Sequence, residues 1–498
     1  MAIDARHPSY VAQREDWQLC RDCHAGERTV KAQGTKYLPA TSGMVFDGMA
    51  SVTEPGFQAY DAYRKRAAFP DYVSEGVGHM LGLMHAKEAK IELPKELEYL
   101  RERASSQGEG LQDLLARINE EQLLVGRLGL LLDFPEAKTT GPPRLFISTY
   151  AAETVINWDS NLVEADRTVL NLVVLDESRY ERREGLDWNW VERYRVLSLG
   201  PIAANDSSGV YGVGVSRESK DLPSELKTPS IKGKTLDKIP FVFVNTRDNL
   251  TEPDRPPLLG LSRLSMTIYR GEADYRQNLF MQGQDTFVTI GAPDSGDDAQ
   301  RVGAGARIDL PTNGDAKYVG VNSQGLPEQR QALEKDHAMA AQRAGQLATA
   351  KSKQIESGEA LQTRIASVSA SLTTLAKSGA HALEQLLRIA AEWVGADPTK
   401  VKVEPNLQFQ DLAFNTRDIV ELASARSMGA PLSRKSFHDT LKERGFTRMT
   451  FEEEMAEIES EEPLNIVDGT TGDLPDDDTT PTGGGGASSK GSGGSPGA

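Results

Sequence analysis

Cysteine is nearly absent. The 498 residues include two, Cys20 and Cys23, and two thiols three positions apart cannot make a disulfide framework. Aromatic residues are scarce at 6%, which favours a helix-rich or assembly-forming chain over a dense β-sandwich. Positive charge is not in excess: 56 Lys and Arg stand against 73 Asp and Glu, a net charge of −17. No basic stripe marks a nucleic-acid grip, which disfavours tight, sequence-reading DNA binding. Long apolar runs are also lacking. The longest, Leu123 to Phe134, contains Arg127 and falls well short of the roughly 20 residues a spanning helix needs. The first thirty residues are polar and carry both signs of charge, unlike a signal peptide. These absences lead us to expect a soluble, intracellular chain with no membrane association.

Catalytic signatures are thin as well. Seven histidines are scattered along the chain, with no H-E-x-x-H, no G-x-S-x-G and no clear carboxylate pair. The expectation is a non-enzyme with no metal and no cofactor. Three near-motifs need weighing. Cys20-Arg21-Asp22-Cys23-His24 spells the C-x-x-C-H of c-type haem attachment, which requires export; chance adjacency of two free thiols is the plainer reading. Gly233-Lys234-Thr235 ends like a P-loop, but Thr228 stands where the first glycine should be and Pro229 interrupts the amide cradle, so a turn between strands is expected. Gly76, Gly78 and Gly82 miss the dinucleotide spacing by one residue and lie in a helical pattern, where glycines permit close helix packing. His79 and His85 are six apart, so they do not share a face as metal ligands would, and His79 reads as a satisfied core or interface histidine.

What is present is a globular composition, 38% hydrophobic and 26% charged, in about three domains' worth of chain. The acidity is uneven. Met449 to Asp478 holds twelve acids and no base, leaving residues 1–448 with 61 acids against 55 bases. The body is close to balanced and the tail carries the charge.

Periodicity gives an α+β, mainly helical chain. Gln58 to Ala68 and Tyr72 to Met84 read as helices. Gly110 to Leu132 carries apolar residues at three- and four-residue steps, which predicts one helix running through "LLVGRLGLLLDFP" and stopped by Pro135. From Pro142 to Thr246, short runs rich in Val, Ile and aromatics predict a small antiparallel sheet. Leu258 to Gly283 is helical again. Gly291 to Gly305, rich in Gly and Asp, reads as an exposed loop, and "ARIDLP" and "AKYVGVN" flank Asn313-Gly314 as a hairpin. Leu326 to Ser352 is helical. The most regular stretch follows. Leu361, Ile365, Val368, Leu372, Leu375, Gly379, Leu383, Leu386, Ala390 and Trp393 form one continuous seam, on a helix of roughly 55 Å if unbroken. Its length favours a subunit-contacting helix over a buried bundle helix. "KVKVEPNLQF" reads as a strand. Two short helices follow, the second with Ser433 as N-cap, then an acidic helix over Thr450 to Glu462 and a Gly/Ser-rich disordered tail.

The order of segments resembles tailed-bacteriophage portal proteins, in particular a portal-like family long labelled as a domain of unknown function. The resemblance rests on "GERTVKAQGTKYLPATSGM", "LLVGRLGLLLDFP" with "RLFISTYAAETVINWD", "PFVFVNTRDNL" with "PPLLGLSRLSMTIYRGEADY", "SGEALQTRIASVSASLTTLAKSGAHALEQLLRIAAEWVG", and "MGAPLSRKSFHDTLKERGF" with "FEEEMAEIESEEP". It covers roughly Gly26 to Pro463, and it is the order of these segments that is specific.

The resemblance implies a non-enzymatic virion protein. Its subunit would have wing, stem, clip and crown regions and assemble as a dodecameric ring at one capsid vertex. Double-stranded DNA would pass through the ring without sequence-specific binding during packaging and ejection. By segment it implies a wing over 1–255, a stem helix over 256–283 and a clip over 284–307. A tunnel-loop hairpin with a connecting helix would occupy 308–357, a long inner wing helix 358–398, a crown 399–465 and a disordered tail 466–498. Clip candidates for the terminase large subunit and then the head–tail adaptor are Asp294, Asp297, Asp298 and Arg301. Channel candidates are Thr312, Asn313, Gly314, Asp315 and Lys317. Subunit-interface candidates are Leu361, Ile365, Val368, Leu372, Leu375, Leu383, Leu386 and Trp393. Major capsid and scaffold proteins are further implied partners, with the host cytoplasm as the place of assembly. The alternatives are another ring-forming head–tail connector and, in a different class, an exported haem protein using Cys20, Cys23 and His24.

Overall fold

The structure is a computed structural model. It describes residues 2–134, 144–164, 167–182, 185–200, 209–219, 222–223, 225–282, 286–290, 313–319, 325–345, 358–409, 423–429, 431, 433–443, 447 and 449–460. Two compact units emerge, Met1–Gln410 and Asp411–Ala498.

The first unit opens with helices α1 (Pro8–Ala25), α2 (Glu27–Ala32), α3 (Ser42–Phe46), α4 (Pro55–Arg66) and α5 (Tyr72–Met84). Local chemistry sets their ends. His7 caps α1 by accepting from Ser9 N at 3.2 Å, with Pro8 in the first turn. Thr41 caps α3 by accepting from the Met44 amide. The short strand β1 (Lys90–Glu92) and α6 (Leu111–Leu124) follow.

Here the sequence reading is corrected. Gly110 to Leu132 is not one helix. α6 ends at Leu124, Gly126 takes φ +76°, and β2 (Arg127–Asp133) begins at once. A Cβ at Gly126 would also crowd the Arg255 and Asp254 carbonyls at 3.3 and 3.4 Å. The unbroken apolar run is that of a strand covered on both faces, which periodicity cannot separate from a buried helix.

β2 is the central strand of an antiparallel sheet ordered β10-β2-β3, where β3 is Phe146–Ala151 and β10 is Phe241–Asn245. Between them lie β4 (Val155–Glu164), β5 (Arg167–Asp176), β6 (Arg179–Arg182), β7 (Trp188–Val191), β8 (Tyr194–Leu199) and β9 (Tyr211–Ser216). Strands β4-β5-β8-β9 form a four-stranded antiparallel sheet, and β6-β7 is a hairpin inserted between β5 and β8. The expected small sheet is thus two sheets and a hairpin.

Next come α7 (Leu259–Gln282), β11 (Thr286–Ile290), β12 (Asp315–Val319), α8 (Leu326–Arg343), α9 (Gly358–Val394) and β13 (Lys402–Glu404). Although expected in the crown region, β13 pairs antiparallel with β1 inside the first unit. The core is continuous from α1 through both sheets to the C-terminal half of α9, where Leu383, Leu386, Leu387 and Ala390 are fully covered.

The second unit contributes α10 (Arg434–Glu443) and α11 (Phe451–Ser460). Ser433 caps α10, accepting from the Ser436 amide at 3.0 Å. Thr450 and Glu453 form a reciprocal capping box on α11, with the Thr450 amide donating to Glu453 Oε2 at 2.8 Å. Among the described residues no helix is long and apolar enough to cross a membrane.

Candidate functional site: a helix–hairpin–helix arm and its anchorage

Helix α7 changes character along its length. Up to Ala273 its inner face is buried, through Leu259, Leu261, Met266, Ile268 and Tyr269. Beyond that point Leu279, Phe280 and Met281 are each at least 40% exposed, with Arg66 of α4 still packed on Phe280. α8 returns antiparallel along it. Asn278 Nδ2 donates to Gln329 Oε1 at 3.1 Å near the outer end, Glu272 Oε1 lies 3.3 Å from His337 Nε2 midway, and Arg343 Nη1 donates to the Gly260 carbonyl at 3.3 Å near the base. Gly271 makes this approach possible, because a Cβ there would sit 2.9 Å from Leu333 Cδ2.

At the outer end β11 and β12 pair antiparallel, Thr286 with Val319 through Ile290 with Asp315. The second strand of the expected Asn313-Gly314 hairpin is thus β12, whose described partner is 286–290, and its first strand, 306–311, lies outside the described residues. Of the expected clip and channel regions the described parts are 286–290 and 313–317, and β11 and β12 bring these side by side between α7 and α8.

The arm is tied to the helical body by polar contacts with apolar backing. Arg270 Nε donates to the Tyr37 carbonyl at 2.8 Å, and Tyr63 OH donates to Asp274 Oδ1 at 2.5 Å. The Arg66 guanidinium lies 4.0 Å from the Phe280 ring centroid. Burial and the Asp274 carboxylate push the Tyr63 phenol up, so it stays a donor. Midway along, Tyr72 OH meets His337 Nδ1 at 2.9 Å, linking α5, α8 and α7 through one imidazole. Gly76 brings α5 close to α8's end; a Cβ there would lie 3.3 Å from Ala344 Cα. His79 is exposed rather than a core histidine.

Midway along α9 a buried polar chain fixes it to the body. Asn245 ends β10 with its side-chain nitrogen donating to the Leu250 and Glu252 carbonyls at 2.8 and 2.9 Å. Its own carbonyl accepts from Gln122 Nε2 at 2.7 Å and from Ser378 Oγ at 2.8 Å. Asn119 bonds Gln122 Oε1 at 2.8 Å and reaches His85 Nε2 at 3.0 Å. Burial holds the His85 imidazole below its ordinary pKa, with the Asn119 contact pulling the other way. Beside this chain Arg127 is fully buried, sandwiched 4.4 Å from Trp158 and 4.1 Å from Phe243 and donating to the Thr251 carbonyl at 2.8 Å. Its Nε and Nη2 find no hydrogen-bond partner. Burial drives its pKa down to about 9, opposed by Glu252 and Asp254.

The sequence candidates divide accordingly. Leu372, Leu375, Leu383, Leu386 and Trp393 are 0–4% exposed within the chain itself. This stretch of the seam is core within the chain, not a subunit contact; side chains already covered have no surface left to offer. Leu361, Ile365 and Val368 lie on α9, but their side chains are outside the described residues, as are Asp294, Asp297, Asp298, Arg301 and Thr312. Asn313, Asp315 and Lys317 are exposed at the start of β12.

The haem reading is also corrected. Cys20 and Cys23 are fully buried on α1, with Cys23 Sγ 3.7 Å from the Ser262 carbonyl of α7, and burial pushes the Cys20 thiol up to about 11. A macrocycle joined to both thiols would have to pry α1 and α7 apart. Gly233-Lys234-Thr235 forms the expected turn, with Lys232 and Gly233 at positive φ and Ile231 bridging Lys234. Among the described residues no cluster of three or more His, Cys, Asp or Glu could hold a metal ion. Sequence reasoning missed Arg127, Asn245, Gln122 and Ser378; a charged residue opening an apolar run was the signal for the first.

Residues 257–394 match the model of a family described as a domain of unknown function (DUF4055). The match runs from the start of α7 to the end of α9. No curated protein matches the chain. Among solved structures the chain is similar to a component of the neck of a native GTA particle computed with C12 symmetry. That pair shares 14% identity at a TM-score of 0.38, covering 81% of this chain and 98% of the other. It is similar as well to a component of the neck of an empty GTA particle computed with C6 symmetry, at 14% identity and a TM-score of 0.39, over 79% and 94%. A third is a component of the virion of the native gene transfer agent particle, at 13% identity and a TM-score of 0.38, over 80% and 98%.

Proposed function

We propose that this chain is the portal subunit of a tailed-phage-like particle, a structural virion protein that forms a ring at one capsid vertex for passage of double-stranded DNA. The observation that carries the reading is the arm. Two antiparallel helices carry a β-ladder at one end and are followed in sequence by a 37-residue helix. The family match covers this same stretch, and it is where the sequence resemblance puts stem, clip and inner helix. The exposed apolar side chains at the outer end of α7 and on β11, among them Phe280 and Ile290, suit contact with neighbouring copies. The arm tip would meet terminase and then the adaptor.

Charge supports the same reading. A channel that passes DNA must not hold it, since each phosphate contact adds counterion-release affinity. A nearly balanced body fits that demand. Negative-stain electron microscopy with light scattering tests the proposal. The expected result is rings with a central hole, near 650 kDa for about twelve copies of the 54.3 kDa chain. A uniform monomer under all conditions, including with capsid and scaffold proteins present, would overturn it. Submicromolar binding of duplex DNA by rings at physiological salt would argue against the channel role.

A further inference from the structure

The second unit carries a groove between α10 and α11 of about 450 Å³. Its apolar wall is Phe437 and Leu441 from α10 facing Phe451, Met455 and Ile458 from α11. The three α11 positions follow helical i, i+4, i+7 spacing, so they form a stripe. Yet α11 has no buried residue, and Ile458 is 55% exposed. A stripe of that kind is ordinarily covered.

A polar observation points the same way. His438 is only 6% exposed, and neither ring nitrogen makes a hydrogen bond. Asp439 Oδ1 approaches Nδ1 at 3.5 Å, and Phe451 packs edge-on to the ring at 5.5 Å. Buried polar groups in folded proteins are paired, so a partner for this imidazole is missing. The rim is basic. Arg426 lies over Phe437 and Arg434 opens α10, while the nearby acid Glu454 is already engaged by the Thr447 hydroxyl.

We infer that this groove is filled by the chain's own segment Glu461–Asp468, turning back along α11. The sequence after Ser460 is Glu-Glu-Pro-Leu-Asn-Ile-Val-Asp. Pro463 cannot continue the helix and supplies the turn. In an extended strand Leu464 and Ile466 share one face. Residues 464–468 then span about 16 Å, close to the roughly 15 Å length of the ten-residue α11. Leu464 and Ile466 meet the apolar wall, the strand's free amides and carbonyls reach His438, and Glu461, Glu462 and Asp468 face Arg426 and Arg434. The connection is only a few residues long, so the effective concentration is high.

Hydrogen exchange on the full chain tests this, read on residues 434–443 and 451–460. Ending the chain after Ser460 should speed exchange there at least tenfold, and Leu464→Asp with Ile466→Asp in the full chain should do the same. Arg434→Glu should produce a smaller effect of the same kind, and adding Asp468→Lys should reverse it. A labelled peptide of residues 461–470 should bind the shortened chain and bind the full chain at least tenfold more weakly. Unchanged exchange in both the shortened chain and the Leu464/Ile466 variant overturns the proposal, as does equal peptide binding to the two chains. Protection that disappears on dilution assigns the groove to a second copy's segment and overturns the intramolecular form. None of these outcomes depends on whether the protein forms rings.

Discussion

The Ser378 hydroxyl donates to the main-chain carbonyl of Asn245 across 2.8 Å, joining the middle of α9 to the end of β10. The same carbonyl accepts from Gln122 of α6, so three elements meet on one buried oxygen. Ser378→Ala leaves that oxygen one partner and should cost about 1 kcal/mol. Ser378→Val removes the donor and adds bulk, and should cost about 2 kcal/mol or more. Urea unfolding of the two variants measures the order; equal stability would show that the bond adds nothing.

The next residue gives a sharper test. Gly379→Ala should gain about 1 kcal/mol from helix propensity. Its Cβ would, however, stand 2.6 Å from Gln122 Oε1 and 2.7 Å from Asn119 Nδ2. Overpacking of this kind costs about 1–3 kcal/mol, so the net effect should be destabilising. Thermal unfolding decides the sign.

Arg127 is a buried cation with two nitrogens unpartnered and no carboxylate bonded to it among the described residues. Its pKa, lowered to about 9, leaves it charged at neutral pH, where the fold bears the cost of burying that charge. Arg127→Met keeps the packing between Trp158 and Phe243 and removes the charge, so it should be neutral or stabilising by about 1–4 kcal/mol. Arg127→Ala opens a cavity instead and should destabilise by about 2–4 kcal/mol. A methionine variant as unstable as the alanine variant would show that the cation itself is needed.

His85 has a folded-state pKa below its unfolded value near 6.5. The fold therefore favours the neutral imidazole, and the stability this gives is present above pH 6.5 and lost as pH falls through the lowered value. Unfolding free energy should drop between pH 7 and pH 5, and His85→Gln should flatten that slope. An unchanged slope in the variant would assign the acid sensitivity elsewhere.

Gly271→Leu would drive a side chain into Leu333 at the α7–α8 crossing. A leucine is too large for Leu333 to accommodate by turning its own side-chain end, so the two helices should move apart. On the proposed function the variant should keep its far-ultraviolet circular dichroism and lose ring assembly, read by light scattering.

Much of the helical framework was legible. Tyr72–Met84 and α7 follow directly from apolar spacing, and Ser433 and Thr450 cap where their chemistry predicts. Strand Arg127–Asp133 was not legible, because a run buried on both faces has no period; the positive φ of Gly126 that separates it from α6 shows only in the fold. From Leu372 to Trp393 the apolar spacing of α9 does mark covered positions, but the cover is not another subunit. Spacing tells which residues are covered and not by what, and Leu383 and Trp393 are covered by their own chain. Asn245 was invisible for the opposite reason: its role depends on Gln122 and Ser378, more than a hundred residues away on either side.

The ladder between β11 and β12 has a consequence for how the protein can vary. It pairs Ile290 with Asp315 and so fixes the two points between which the chain must close. The entropy of closing such a span rises only as the logarithm of its length, about 0.6 kcal/mol per doubling. Residues 291–314 could be lengthened, shortened or exchanged for a foreign domain with little strain on the helices below. On the proposed function, the surface offered to a partner can then be re-cut by evolution or by an engineer while the helices beneath stay the same.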